Sequence, residues 1–141
     1  MKTFATTAII RAPAAHIWSI LTDAAGYPSW NSTVERVAGT IALGNKVTVT
    51  TKAAPGRAFP LKVTALEPNR RMVWAGGMPF GLFKGTRTYV LNPRPTGDVE
   101  FSMREEFSGL MAPLITRSIP DLQPSFDRFA ADLKAYAEKS R

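Results

Sequence analysis

The residues of this chain that are best suited to chemistry are Arg87, Tyr89 and Glu105. They fall in two stretches, Phe83 to Leu91 and Val99 to Phe107, which are predicted to pair as a β-hairpin. Because every second side chain of a strand faces the same side of the sheet, all three share one face with the aromatic and aliphatic residues of both stretches. We therefore expect charged and hydroxyl groups to point into an apolar interior.

The segment from Asn92 to Asp98 contains two prolines and a glycine, and it predicts the turn of this hairpin. If the turn centres near Pro95 and Thr96, Arg87 lies directly opposite Glu105. A guanidinium matches the oxygens of a carboxylate, carbonyl or phenolate, so Arg87 is a candidate ligand anchor that Glu105 orients. The alternative is a purely structural ion pair, whose disruption typically costs about 3–5 kcal/mol whether or not a ligand exists.

Glu105 and Tyr89 are also the candidate catalytic residues, since a carboxylate and a phenol can both move protons at a bound substrate. The alternative for Tyr89 is a core aromatic residue with a satisfied hydroxyl. The single histidine, His16, falls in the first turn of a predicted helix and is expected to be exposed and inert. With one histidine, no cysteine, no phosphate-binding glycine motif and no catalytic triad, we expect neither a metal nor another cofactor.

Apolar side chains from the sheet, its loops and the C-terminal segment are expected to form the wall of a cavity around the ion pair. Methionine and aromatic residues dominate this set, and both suit varied apolar ligands. The candidates are Trp30, Trp74, Met78, Phe80, Phe83, Met103, Phe107, Met111, Ile115, Ile119 and Phe126. The alternative is a close-packed core without a cavity.

Composition is that of an ordinary globular protein. The 141 residues are 45% hydrophobic and 21% charged, which predicts a single domain over 1–141, as a monomer or homodimer. Without cysteine, a signal-peptide pattern or a membrane-spanning stretch, we expect a cytoplasmic protein. The net charge of +7 comes from scattered residues, so nucleic acid is not an expected partner, whereas transient contact with an anionic membrane stays open.

Hydrophobic periodicity predicts a strand, two helices, six strands and a long helix. The first strand covers Thr3 to Arg11, a helix starts at Ala12-Pro13, and Tyr27 to Asn31 forms a second short helix. Strands are then predicted over Ser32 to Gly39, Lys46 to Thr51, Phe59 to Ala65 and around Met72 and Trp74, with turns at Ala54-Pro55-Gly56 and Glu67 to Arg70. The segment from Gly76 to Leu82 is predicted to be a glycine-rich apolar loop before the hairpin.

The C-terminal third carries an apolar stripe at helical spacing. Its members are Ile115, Ile119, Leu122, Phe126, Phe129, Leu133 and Tyr136. Pro120 and Pro124 interrupt the stripe, which predicts a kink or break near Ile119–Pro120, with Asp121 capping a segment that runs to about Lys139. This helix is the available cover for the inner face of a curved antiparallel sheet.

Alternate loops of an antiparallel meander lie at the same end of the sheet. Trp30–Ser32, Lys52–Ala58, Gly76–Leu82 and Ser108–Met111 should therefore cluster, and several of them are unusually apolar. We interpret this end as the mouth of the cavity, and the alternative is that the loops pack on the long helix. Arg87 lies four residues in from Phe83, or about 13 Å at the strand rise, which places it midway down the cavity.

Short motifs along nearly the whole chain resemble the START-like, or SRPBCC, superfamily, in particular its polyketide cyclase/dehydrase and lipid-transport group. They are Ala12-Pro13…Ile17-Trp18…Leu21-Thr22-Asp23, Tyr27 to Asn31, Leu66 to Trp74, Glu105 to Gly109, and Phe129-Ala130…Leu133-Lys134. The resemblance implies a helix-grip fold of class α+β, in which a seven-stranded curved antiparallel sheet wraps around the C-terminal helix. It supplies no catalytic signature, and the superfamily hosts carriers, sensors and enzymes.

Three functions follow from these expectations, the third of which is a membrane-touching carrier that uses the basic surface and the apolar mouth. The first is non-enzymatic binding of a small hydrophobic ligand, such as a lipid, isoprenoid, polyketide or aromatic metabolite, that the Arg87–Glu105 pair orients. The second is a cyclase or dehydratase that holds a polyketide-like chain in the same cavity while Glu105 or Tyr89 moves protons.

Overall fold

The computed structural model describes residues 2–52, 56–119 and 121–141. Seven strands are found in these ranges: β1 Lys2–Ile10, β2 Val34–Ala38, β3 Lys46–Thr51, β4 Ala58–Glu67, β5 Arg71–Met78, β6 Phe83–Pro93 and β7 Val99–Ser108. They form one antiparallel sheet in the order β1-β7-β6-β5-β4-β3-β2. The first strand is therefore an edge strand whose partner is the last strand.

Four α-helices accompany the sheet in the described ranges: α1 Ala14–Leu21, α2 Tyr27–Trp30, α3 Ala112–Ile115 and α4 Gln123–Ser140. Short 3₁₀ turns cover Ala24–Gly26, Pro79–Gly81 and Thr116–Ser118. The order of strand, two helices, six strands and long helix confirms the predicted helix-grip fold. That residues 1–141 are one domain stays a prediction.

The long helix α4 is tied to the outer edge of β1. The Gln123 side-chain amide donates to the Ala5 carbonyl at 2.7 Å, and the Lys134 ammonium donates to the Ile9 carbonyl at 2.6 Å. These carbonyls belong to a strand whose other side is paired with β7. The helix thus satisfies backbone groups that an open sheet edge leaves unpaired.

Aromatic side chains join α4 to the inner face of the sheet. The Phe129 ring stacks on Phe101 of β7 with 6.0 Å between centroids, and Phe126 meets Phe4 of β1 at 5.8 Å. Phe126, Phe129 and Leu133 are all buried. The predicted apolar stripe of the helix is therefore its sheet-facing side.

The expected loop from Gly76 to Leu82 is wrong in its first half. Gly76, Gly77 and Met78 continue strand β5 and pair with Gly85, Lys84 and Phe83 of β6. Glycine is a poor strand former and therefore suggested a loop, but a neighbouring strand supplies the hydrogen bonds that hold it extended. Only Pro79–Gly81 and Leu82 form the connection.

The start of the last helix agrees in part with the expected break. Pro120 lies outside the described residues, as do Ala53, Ala54 and Pro55 of a predicted turn. Asp121 accepts a hydrogen bond from the Gln123 backbone amide at 3.1 Å, but the N-cap of α4 is Leu122, so the prediction that Asp121 caps the helix is wrong by one residue. Pro124 stands in the first turn of α4 rather than inside it, where no helical hydrogen bond is lost.

Candidate functional site

Arg87 and Glu105 face each other across β6 and β7, as the hairpin register predicted. One guanidinium nitrogen, Nη2, lies 3.3 Å from Oε2 of Glu105. The two side chains keep 20% and 12% of their surface exposed, so solvent still reaches the pair. The pair therefore lies at the inner face of the sheet and is partly accessible to solvent.

Phe126 of α4 covers the guanidinium. The centre of the Arg87 guanidinium lies 4.9 Å from the centroid of the Phe126 ring, a distance at which a cation is attracted to an aromatic face. Phe126 is itself buried. The helix therefore packs directly on Arg87, where the sequence predicts a cavity.

The charges in this region favour a permanent cation beside a neutral phenol. Burial opposes the charge of Arg87, but Glu105 and the nearby Tyr89 outweigh it and raise the pKa of Arg87 further. Burial raises the pKa of Tyr89, although the guanidinium partly offsets this. Tyr89 is thus a neutral hydroxyl near neutral pH and acts as a hydrogen-bond donor or acceptor, not as a phenolate.

Several buried polar atoms of the core make no hydrogen bond of standard geometry within the described residues. They include Arg87 Nε and the Tyr89 hydroxyl, which lie close enough to shift each other's pKa, and Nε1 of Trp74 and Trp30. Trp74 lies directly across from Arg87 on β5, and its ring meets Tyr89 at 5.2 Å. A buried polar group without a hydrogen-bond partner typically lowers stability by about 1–3 kcal/mol. A polar atom of a ligand that bonded to these groups would offset this cost. We call these four residues the polar cluster.

The polar cluster is embedded in aromatic rings. Phe129 of α4 lies 5.3 Å from Trp30 and 6.1 Å from Tyr89, which connects the cluster across the core. Towards the expected mouth, Phe83 and Phe107 stack at 5.7 Å with an interplanar angle of 13°. The site is therefore a small group of hydrogen-bonding atoms within an apolar enclosure.

The predicted wall residues fall into three groups. Trp30, Trp74, Met103, Phe107 and Phe126 are buried in the core. Phe83, Met111, Ile115 and Ile119 are half-buried at the edge of the same region. The remaining two, Met78 and Phe80, are 44% and 95% exposed.

The prediction that Phe80 lines the cavity is wrong, because its side chain points to solvent and not into the core. Residue 80 belongs to a tight turn between β5 and β6, which carries it past the end of the sheet. Sequence inspection also missed Phe129, although it belongs to the apolar stripe of the last helix. The unpartnered tryptophan nitrogens were missed as well, since hydropathy treats tryptophan as purely apolar.

Two surface hollows lie away from Arg87. One, of about 250 Å³, is lined by residues that include His16, Asp23, Ser29 and Ser140. His16 is half-buried, with Nε2 3.0 Å from the Ser140 hydroxyl, and so is less exposed than expected. The other, of about 290 Å³, is lined by Lys2, Ala112, Pro113 and Thr116. Within the described ranges, no group of three or more His, Asp or Glu side chains is arranged to hold a metal ion.

Sequence comparison identifies the family to which this fold belongs. The family described as polyketide cyclase / dehydrase and lipid transport matches residues 1–138. The chain belongs to this polyketide cyclase/dehydrase and lipid-transport family. The match confirms the START-like resemblance and indicates a ligand-binding or cyclase role without naming a ligand or a reaction. No curated protein matches the chain.

Several solved structures share the fold at low sequence identity. A hypothetical protein from Helicobacter pylori has a TM-score of 0.78 at 15% identity, covering 96% of this chain and 88% of its own. A START superfamily protein from Mycobacterium smegmatis has a TM-score of 0.74 at 15% identity, with 99% of both chains covered. DynU16, described as a protein in the dynemicin biosynthetic locus, has a TM-score of 0.73 at 16% identity over 100% of this chain and 49% of its own.

Proposed function

We propose that this START-like protein binds a small hydrophobic ligand between the sheet and α4, with an oxygen of the ligand held by Arg87. The observation that carries the proposal is the polar cluster, in which Arg87 Nε, the Tyr89 hydroxyl and Trp74 Nε1 make no hydrogen bond of standard geometry within the described residues. A carboxylate, phenolate or carbonyl oxygen satisfies these groups. A lipid, isoprenoid, polyketide or aromatic metabolite carrying such a group is the expected ligand class.

The apolar part of the ligand provides most of the affinity. Phe83, Phe107 and Met103 line the region next to Arg87, and burial of apolar surface contributes roughly 25 cal/mol per Å². Because Phe126 covers the guanidinium, its ring moves aside when a ligand occupies the site. Ligand binding is then coupled to a shift of side chains on α4.

The test begins with native mass spectrometry of the protein purified from its own host, followed by extraction and identification of bound small molecules. Isothermal titration with a long-chain fatty acid and with its methyl ester then measures the contribution of an anionic head group. We expect Arg87→Met to weaken binding of the acid at least tenfold and binding of the ester much less.

Arg94→Met is the matched control, because Arg94 also forms an ion pair with an acidic residue but lies at the exposed hairpin turn. It should bind both probes like the unmodified protein. If Arg87→Met folds normally and binds the acid as tightly as Arg94→Met does, Arg87 does not anchor the ligand.

A second candidate function, cyclisation or dehydration of a polyketide-like chain, is supported by the position of Glu105. Its carboxylate lies beside Arg87 and keeps 12% of its side chain exposed. In such a reaction Glu105 takes a proton from a carbon between two carbonyls, and Arg87 holds the enolate oxygen. The carbon then attacks a second carbonyl, whose π bond opens to an alkoxide that takes the proton back from Glu105. A linear poly-β-ketone is the probe. Turnover that is lost in Glu105→Gln while binding is kept supports the enzyme, and binding without turnover in the unmodified protein supports the carrier.

A further inference from the structure

Three large apolar side chains are exposed at the end of the sheet where β5, β6 and β7 meet α3. Phe80, Leu110 and Leu114 are 95%, 85% and 62% exposed. They lie on two segments, the turn between β5 and β6 and the start of the segment after β7. We call these three residues the apolar tip.

The two segments of the apolar tip are joined by their backbones. The Met111 amide donates to the Leu82 carbonyl at 2.7 Å. Gly109 has a φ of 109°, and a Cβ at this position would lie 2.7 Å from the Gly81 carbonyl oxygen, so only glycine fits this approach. The tip is therefore a built ridge and not two independent loops.

Phe80 is held in an unfavourable backbone conformation. Its φ of 61° lies in the left-handed region, which bulky residues seldom adopt. An exposed phenylalanine in that conformation gains nothing from core packing, because its side chain makes no part of the core. Strain of this kind, when observed, indicates a functional use of the residue.

The surroundings of the apolar tip are basic, and the nearest carboxylate along β7, Glu106, is paired with Arg104. Lys2, Arg57, Lys84 and Arg117 are exposed and have no ion pair in the described part of the chain. Lys84 pairs in the ladders with Gly77 and Ser108, and Lys2 pairs with Phe107, which places both at this end. The segments 28–33, 56–60, 76–84 and 107–119 contain no aspartate or glutamate.

We propose that the apolar tip docks this protein on an anionic lipid surface. Phe80 and the two leucines enter the interface, while the surrounding cations contact lipid phosphates. A second copy of the chain is a poorer occupant, because it would bring the same positive charges together. The tip is a protrusion and not a groove, which suits insertion into a deformable surface better than recognition of a folded partner. The proposal uses residues outside the Arg87 site and stands whether or not that site binds a ligand.

Vesicle co-sedimentation tests the proposal, with phosphatidylcholine alone compared with an equal mixture of phosphatidylcholine and phosphatidylglycerol. We expect the apparent partition coefficient to be at least about tenfold higher for the anionic vesicles at low salt, and to fall as salt screens the charges. Equal partitioning into both compositions, or no partitioning into either, overturns the proposal.

Variants separate the apolar and the charged contributions. Phe80→Asn combined with Leu110→Asn should lower partitioning into anionic vesicles about tenfold, and asparagine at 80 tolerates the left-handed conformation, so folding is kept. Leu43→Asn is the matched control, since Leu43 is 64% exposed at the opposite end of the sheet. Lys84→Glu should weaken binding to anionic vesicles, with Arg70→Glu at the opposite end as its control.

Two results on the variants contradict membrane docking. One is partitioning of the Phe80/Leu110 variant that equals that of Leu43→Asn. The other is a concentration-dependent dimer in light scattering that the same variant abolishes, because it would assign the tip to self-association.

Discussion

At the scale of single residues, the centre of this START-like protein combines one satisfied and several unsatisfied polar groups. The Arg87–Glu105 pair is made, at 3.3 Å, but the Arg87 Nε and the Tyr89 hydroxyl beside it make no hydrogen bond of standard geometry within the residues described. A protein selected for stability alone would favour phenylalanine at position 89, because an unpaired buried hydroxyl is a penalty. The retained hydroxyl is consistent with a ligand that uses it.

Because the Tyr89 hydroxyl interacts with Arg87 without a hydrogen bond of standard geometry, Tyr89→Phe should change stability by less than about 1 kcal/mol and weaken binding of an oxygen-bearing ligand. The matched control is Tyr27→Phe, because the Tyr27 hydroxyl donates to the Leu21 carbonyl at 2.6 Å. That substitution should lower stability by about 1–2 kcal/mol, since it leaves a buried carbonyl unpaired. Urea denaturation measures both. A destabilised Tyr89→Phe protein would show that its hydroxyl has a structural partner.

A double-mutant cycle on Arg87→Met and Glu105→Gln measures how strongly the pair is coupled. For a completely buried pair, removal of one partner lowers the free energy of unfolding by about 3–5 kcal/mol. Because both side chains are partly exposed, we expect each single variant to lower it by about 1–3 kcal/mol. The double variant should lose less than the sum of the two. Strict additivity would mean that the two side chains do not interact in solution.

At the scale of elements, alternation along β6 and β7 was sufficient to predict which side chains face inward and that Arg87 opposes Glu105. Helical spacing likewise predicted the buried face of α4. Both succeed because burial repeats with the period of the element. The extension of β5 through Gly77 was not predictable, because glycine has no side chain whose alternation reveals a strand.

For the candidate site, the types of side chain could be predicted but their hydrogen-bond geometry could not. Residue types and periodicity brought Arg87, Tyr89 and Glu105 to one face, whereas the missing hydrogen-bond partners of Trp30 and Trp74 depend on distances that no spacing rule supplies. The prediction for Phe80 was wrong for a related reason, because hydropathy cannot distinguish an apolar residue that lines a core from one that is exposed to solvent.

The attachment of α4 to the end of β1 should depend on pH. Glu138 accepts from Lys134 at 2.7 Å and from the Arg11 amide at 2.9 Å, and these hydrogen bonds lower the pKa of Glu138. A lowered pKa in the folded state means that this contribution is fully present above the ordinary value of 4.5 and is lost as the pH falls through the folded-state pKa.

The Glu138→Gln protein should thus be less stable than the unmodified protein at neutral pH, and the difference should shrink in acid. Thermal unfolding measured at a series of pH values from about 3 to about 7 gives this difference. Glu35→Gln, which removes an exposed carboxylate of β2, is the control for a general change in net charge. A difference that stays constant down to the acid limit would contradict the assignment.

At the scale of the whole molecule, the aromatic contacts between α4 and β7 predict that residues 1–141 unfold as one unit. We expect a single calorimetric transition in which the calorimetric and van't Hoff enthalpies agree. Two resolved transitions would contradict the single-domain prediction. Light scattering on the same sample decides between monomer and homodimer. No helix in the parts of the chain that are described is long and apolar enough to cross a membrane.

The position of β1 has a consequence during synthesis of the protein. Its strand partner in the described part of the chain is β7, and the helix along its other edge is α4, so both neighbours come from the last third of the chain. At a synthesis rate of about 5–20 residues per second, β1 leaves the ribosome roughly 5–20 s before residues 99–140 follow it. During that interval the strand exposes both edges and the apolar side chains of Phe4 and Ile10. Each nascent chain therefore carries an unpaired first strand for seconds before β7 and α4 can cover it.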